Sequence, residues 1–102
     1  MNRALTPKLI SVSVTTPGTA VQVSSNVVRA ARLDLYADDG NSGDVYLGDS
    51  TVDDTWIPYA PGDEVLLVAK EITGEDGDYF DLSKLYVDAD TGSNVLAVRY
   101  WA

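Results

Sequence analysis

Apolar side chains recur at alternate positions in short runs, and Gly, Pro, Asn or Asp ends each run after about 8 to 12 residues. A period of two belongs to a half-buried strand, and this spacing of breakers belongs to a sandwich or barrel. Leu9, Ser11 and Ser13 alternate with Ile10, Val12 and Val14 until Pro17-Gly18 ends the run. Val21 and Val23 share the next face. From Arg32, Leu33, Leu35 and Ala37 point one way, and Asp34 and Tyr36 the other. Asp39-Gly40-Asn41-Ser42-Gly43 reads as a turn with glycines at positive φ, and 44–49 as a short strand. The segment 50–57 is a connection or a second short strand. Pro61-Gly62 signals a type II turn that feeds a strand over 64–69. A polar loop (73–81), a strand from Leu82 and a turn (88–94) follow. The last strand divides Val95, Ala97, Arg99 and Trp101 from Leu96, Val98 and Tyr100. Helix signals are almost absent. The expected fold is an all-β, jelly-roll-like sandwich, with a small β-barrel as the alternative. Its single domain spans 9–102, behind an extended N-terminal arm at 1–8.

Composition removes several chemistries. The 102 residues leave room for one domain, large enough to bury roughly two-thirds of the unfolded surface without staples. There is no cysteine and no histidine, so no disulfide, no thiolate or imidazole metal site and no histidine-based triad can form. An enzyme is therefore not expected, nor is a cofactor. The net charge of −9, from 16 acidic and 7 basic residues, repels a phosphate backbone, and no nucleic-acid partner is expected. No apolar run approaches the ~18 residues of a membrane span, and "MNRALTPKLISVSVTT" lacks the apolar block of a signal peptide. The expectation is a protein made in the cytoplasm, without a membrane partner.

The carboxylates invite a chemical reading. Counting Asp88 as the first position of a calcium loop puts Gly92 at the fifth and Arg99 at the twelfth, and counting from Asp38 puts Gly40 at the third. Neither run is an EF-hand. A looser calcium site joining Asp76 or Asp78 to Asp88 and Asp90 stays open. Against it, Asp and Asn are the ordinary turn residues of β-proteins. Paired acids for glycoside hydrolysis need burial to raise one pKa, and only Asp34 and Asp81 interrupt apolar runs. Among the aromatics, Trp56 and Tyr59 flank Pro58 in a loop-like segment and are the candidate interface pair, whereas Tyr86 and Tyr100 read as packing. The segment Met1 to Lys8 holds two of the seven basic residues. It is either a loose terminus or a basic arm that orders on a partner, with Asn2, Arg3, Leu5, Pro7 and Lys8 as its contacts.

Three segments, in this order, carry a resemblance: Gly40 to Ser50 (GNSGDVYLGDS), Ile57 to Asp63 (IPYAPGD) and Leu82 to Asp90 (LSKLYVDAD). Between about Arg29 and Trp101 the chain resembles small tailed-phage virion proteins associated with capsid decoration or cementing. These share a Gly-Asn-x-Gly-x-Val-Tyr-x-Gly-Asp-Ser segment, a Pro-x-x-Pro-Gly-acid strand entry and a Leu-Ser-Lys-apolar-Tyr-Val-Asp-Ala-Asp segment. The resemblance implies a non-enzymatic homo-oligomer, dimer or trimer, bound to the major capsid protein on the outer surface of the virion. The basic arm would grip the capsid while the acidic loops face solvent. A carbohydrate- or receptor-binding module of a tail or head fibre is the alternative. Gly48 and Gly62 are expected at tight corners, and Leu82, Leu85 and Val87 on one sheet face.

Overall fold

The computed structural model describes residues 6–101. Ten strands form: β1 (Pro7–Val14), β2 (Val21–Gln22), β3 (Arg29–Ala30), β4 (Arg32–Ala37), β5 (Val45–Gly48), β6 (Pro58–Tyr59), β7 (Glu64–Val68), β8 (Phe80–Asp81), β9 (Tyr86–Ala89) and β10 (Asn94–Trp101). One sheet has the order β1-β10-β4-β7 and the other β2-β9-β5-β6; β3 and β8 form a separate pair. Every pairing is antiparallel, and no sheet closes into a barrel, so the barrel alternative does not apply.

The period-two pattern decides which side of each strand is covered. In the first sheet the inner row Ile10–Val98–Leu35–Val65 crosses all four strands in register. Val12, Val14, Leu33, Ala37, Leu96 and Tyr100 extend that inner surface. Val45, Val87 and Ala89 from the second sheet join the same buried cluster, as does Leu82. One apolar core thus lies between the two sheets. The opposite face of the first sheet carries the row Leu9–Arg99–Asp34–Leu66, the polar half of the alternation.

Several local expectations are corrected. Strand β1 starts at Pro7, so Pro7 and Lys8 lie opposite Trp101 and Tyr100 within the sheet and not on a free arm. A short helix α1 (Ala69–Thr73) follows β7 where strand and loop were expected. Good helix formers (Ala, Lys, Glu) begin it, and Gly74 ends it in the left-handed conformation at φ 79°. Leu82–Lys84 is a turn of 3-10 helix and not the start of a strand, because the Asp81 carboxylate accepts from the Ser83 N–H and hydroxyl and caps the turn. The strand begins only at Tyr86, so Leu82 enters the core from a turn. Gly62 does sit at a tight corner, at φ 88°, with Asp63 N–H bonded to the Ala60 carbonyl. Gly40 and Gly43 are not at positive φ; the non-glycine that adopts it is Ser93, at 64°.

Candidate functional site

The loops β1–β2, β4–β5, β6–β7 and β9–β10 gather at one end of the molecule, where the hydrogen bonds of the 38–44 and 88–94 segments converge. Asn41 copies a strand there. Its amide nitrogen donates to the Val95 carbonyl (2.9 Å) and its oxygen accepts from the Val95 N–H (2.8 Å), extending the ladder by a side chain. Asn94, 1 % exposed, accepts from Ser42 N–H (3.0 Å) and donates to Thr91 Oγ1 (2.8 Å). A buried amide with partners on both atoms stabilises the turn; one without would cost about 1–3 kcal/mol. Gly43 lies in a tight spot. A Cβ there would lie 3.2 Å from both Asp90 Cβ and Thr91 Oγ1.

Most of the aspartates of this end, and of the 49–55 connection, are occupied in the same way. Asp49 accepts from Thr51 N–H and Oγ1, and Asp53 from Thr55 N–H and Oγ1, as Asp81 does from Ser83. These hydrogen bonds favour the charged form and hold all three carboxyls below the ordinary aspartate value. The common signal is Asp-x-Ser/Thr, a turn in which the carboxylate meets the backbone two residues on. Asp38 accepts from Gly40 N–H and Asp63 from Ala60 N–H. Asp88, 4 % exposed, accepts from Gly18 N–H and from Ala89 N–H. Asp90 accepts from the Tyr46 hydroxyl at 2.8 Å. Burial, then that bond and the nearby carboxylates of Asp90, Asp44 and Asp54, push the Tyr46 hydroxyl up to about 12.

The calcium grouping that the sequence leaves open does not assemble. Asp76 pairs with Lys70 at 2.8 Å, Asp88 anchors the β1–β2 loop, and Asp90 is bound to Tyr46. Among the described residues no three carboxylates are placed to hold a metal ion. No helix among them is long and apolar enough to cross a membrane.

Trp56 and Tyr59 are not brought together as a pair. Tyr59 lies opposite Val45 in the β5–β6 pairing, half-buried against the core, and burial raises its hydroxyl. Trp56 is folded onto the outer side of β5, its ring over Gly48, and stays 37 % exposed beside Ile57 at 72 %. Gly48 is therefore a seat for an indole within a strand and not a corner. Of the arm residues, Pro7 and Lys8 are exposed on β1, while Asn2, Arg3 and Leu5 lie outside the described residues.

One concave surface went unread in the sequence. The outer face of the first sheet forms an open groove of about 570 Å³ lined by Leu9, Arg32, Asp34, Tyr36, Leu66 and Arg99, among others. Its floor holds the Arg32–Asp34 ion pair (3.3 Å), and exposed Leu9 and Leu66 stand at its two sides. The strand alternation was legible, but which outer residues become neighbours depends on a strand order that local sequence does not encode. No protein-family model matches this chain, and neither a curated protein nor a solved structure matches it significantly.

Proposed function

We propose that this protein is a non-enzymatic decoration (cement) protein of a tailed-phage capsid, binding the major capsid protein on the outer surface of the head as a homo-oligomer. The observation that carries the reading is the strand order. β1-β10-β4-β7 faces β2-β9-β5-β6 across one core. We read these eight antiparallel strands, which cross repeatedly between the two sheets, as a jelly-roll-like order, with β3–β8 as an added pair. Jelly rolls serve as capsid and lectin domains. The three segments that resemble decoration proteins add weight, since each has a defined place in the fold: the Asn41–Val95 lock, the Gly62 corner and the Asp81-capped turn. An acidic surface keeps such a protein soluble before assembly.

The fibre-module alternative draws on Trp56, whose outer face is open for stacking. Tyr59 does not serve as its second aromatic, because it turns into the core.

Co-sedimentation with capsids of the cognate phage, over a concentration series, tests the proposal. Saturation at a simple fixed ratio to the major capsid protein is the expected result, and no binding to intact heads would overturn it. Residues 1–5 are the deletion to make for the arm, since removing 1–8 would also shorten β1. Loss of capsid binding with unchanged folding is expected; unchanged binding removes the arm from the mechanism.

A further inference from the structure

The two large sheets present four edge strands, and three of them are guarded. β2 and β6 are two residues long, and β6 contains Pro58. β7 begins at Glu64 behind Pro61-Gly62-Asp63 and runs directly into α1. Short edges, prolines and charges are the usual means of stopping a sheet from adding another strand. β1 has none of them along most of its length. It is eight residues long, and from Leu9 to Val14 it carries neither charge nor proline.

The hydrogen-bonding direction of β1 follows from its neighbour. Val95 turns its N–H to Asn41 and its carbonyl to Asn41 and Asp38, away from β1. Alternation along β10 then aims Asn94, Leu96, Val98 and Tyr100 at β1, and their partners Val14, Val12, Ile10 and Lys8 back at β10. The carbonyl of Val14 does accept from Ser93 N–H on that side. This leaves the N–H and C=O groups of Leu9, Ser11 and Ser13 directed to the open edge.

Charge selects the occupant. No acidic residue precedes Asp34, although the chain holds 16. Arg29 lies over the Tyr79 ring and Arg32 is paired with Asp34, and the only charged side chain on β1 is Lys8. Two copies of a protein of net charge −9 repel over most of their surface, but not along this edge.

We propose that β1 is a self-association site, at which a second copy of this chain adds antiparallel about a two-fold axis through Ser11. Leu9 pairs with Ser13 of the partner subunit, Ser11 with its own copy, and Ser13 with Leu9 of the partner subunit, each pair exchanging two backbone hydrogen bonds. The register uses the free N–H and C=O groups of Leu9, Ser11 and Ser13. It also stops at Pro7, which has no N–H to offer. The two four-stranded sheets become one of eight strands, and the small Ser11 side chains allow close approach at the axis. Ile10 and Val12 of the two copies meet on the inner side, covering the half-buried Ile10. This names the contact of the homo-oligomer proposed above and stands without the capsid-binding part of that reading.

The test is the solution mass of the full chain by sedimentation equilibrium across a concentration series. The expected species is twice the 10.9 kDa monomer. Ser11→Lys places two ammonium groups face to face at the axis from a position exposed in the monomer, and should raise the dimer dissociation constant at least about tenfold. Leu66→Lys, exposed on the opposite edge strand and equal in its change of charge, should not raise it. Hydrogen exchange serves if Ser11→Lys folds poorly. In the wild type the amides of Leu9, Ser11 and Ser13 should be protected at high concentration and lose protection on dilution. A wild-type monomer throughout the series, an oligomer other than a dimer, or protection of these amides that ignores concentration would overturn the proposal.

Discussion

The indole of Trp56 occupies the space that a side chain on Gly48 would need. A Cβ built on Gly48 would fall 2.6 Å from both Cε3 and Cζ3 of that ring. Backbone conformation does not require glycine here, since Gly48 lies in a strand without positive φ. The requirement comes from a residue eight positions later, when the connection folds back over its own strand. Gly48→Ala should therefore lift the ring and destabilise the fold by about 1–3 kcal/mol, the cost of overpacking. In a Trp56→Ala background the same change should cost almost nothing, and a urea-denaturation double-mutant cycle reads the difference.

The Asn41 amide makes two bonds to Val95, but they are not equivalent. The Val95 carbonyl also accepts from Asp38 N–H, whereas its N–H has Asn41 Oδ1 as partner. Asn41→Ala leaves that N–H unpaired and should cost about 1–3 kcal/mol. Asn41→Asp keeps the acceptor and should cost clearly less, measured as the shift in urea midpoint. Equal losses for the two variants would mean that the donor bond matters as much.

Leucines on the two faces of the first sheet should respond very differently. Leu96 is wholly buried between the sheets, and Leu96→Ala should lose about 2–5 kcal/mol. Leu66, on the outer face, is 53 % exposed, and Leu66→Ala should fall within about 0.5 kcal/mol of wild type. Thermal unfolding of both variants at neutral pH checks this.

Stability should fall at both ends of the pH scale, for opposite reasons. Asp49, Asp53 and Asp81 ionise more readily in the folded state than when unfolded. Their contribution is complete above the unfolded value of 3.8 and is lost as pH drops below it. Tyr46 is shifted the other way, from 10.0 to about 12, so its contribution is complete below pH 10.0 and is lost as pH rises toward 12. Tyr46→Phe should remove part of the alkaline decline and leave the acid limb unchanged, as read from melting temperature against pH.

Strand faces were the most legible part of the molecule. The alternations at Leu9 to Val14, Leu33 to Ala37 and Val95 to Trp101 appear in the structure with the same residues sharing a face, because one-sided burial acts on each strand locally. The Gly62 corner was legible for the same reason. Leu82 to Leu85 was misread because an apolar pattern of four residues does not separate a strand from a capped turn. The Asp-x-Ser signal at Asp81 is what marks the capped turn. Trp56 and Tyr59 look alike in sequence, three residues apart. Only strand pairing places Tyr59 opposite Val45 and leaves Trp56 outside.

By itself the sequence determined the class of fold, the absence of cysteine and histidine chemistry, and the division of each long strand into two faces, since these depend on composition and nearest neighbours. The tertiary structure decided the strand order, the groove on the outer sheet face, the seating of Trp56 on Gly48, and which edge lacks a guard. Each of these depends on how strands and connections fold onto one another, and the free energy that selects them arises only when both sheets close over the shared core.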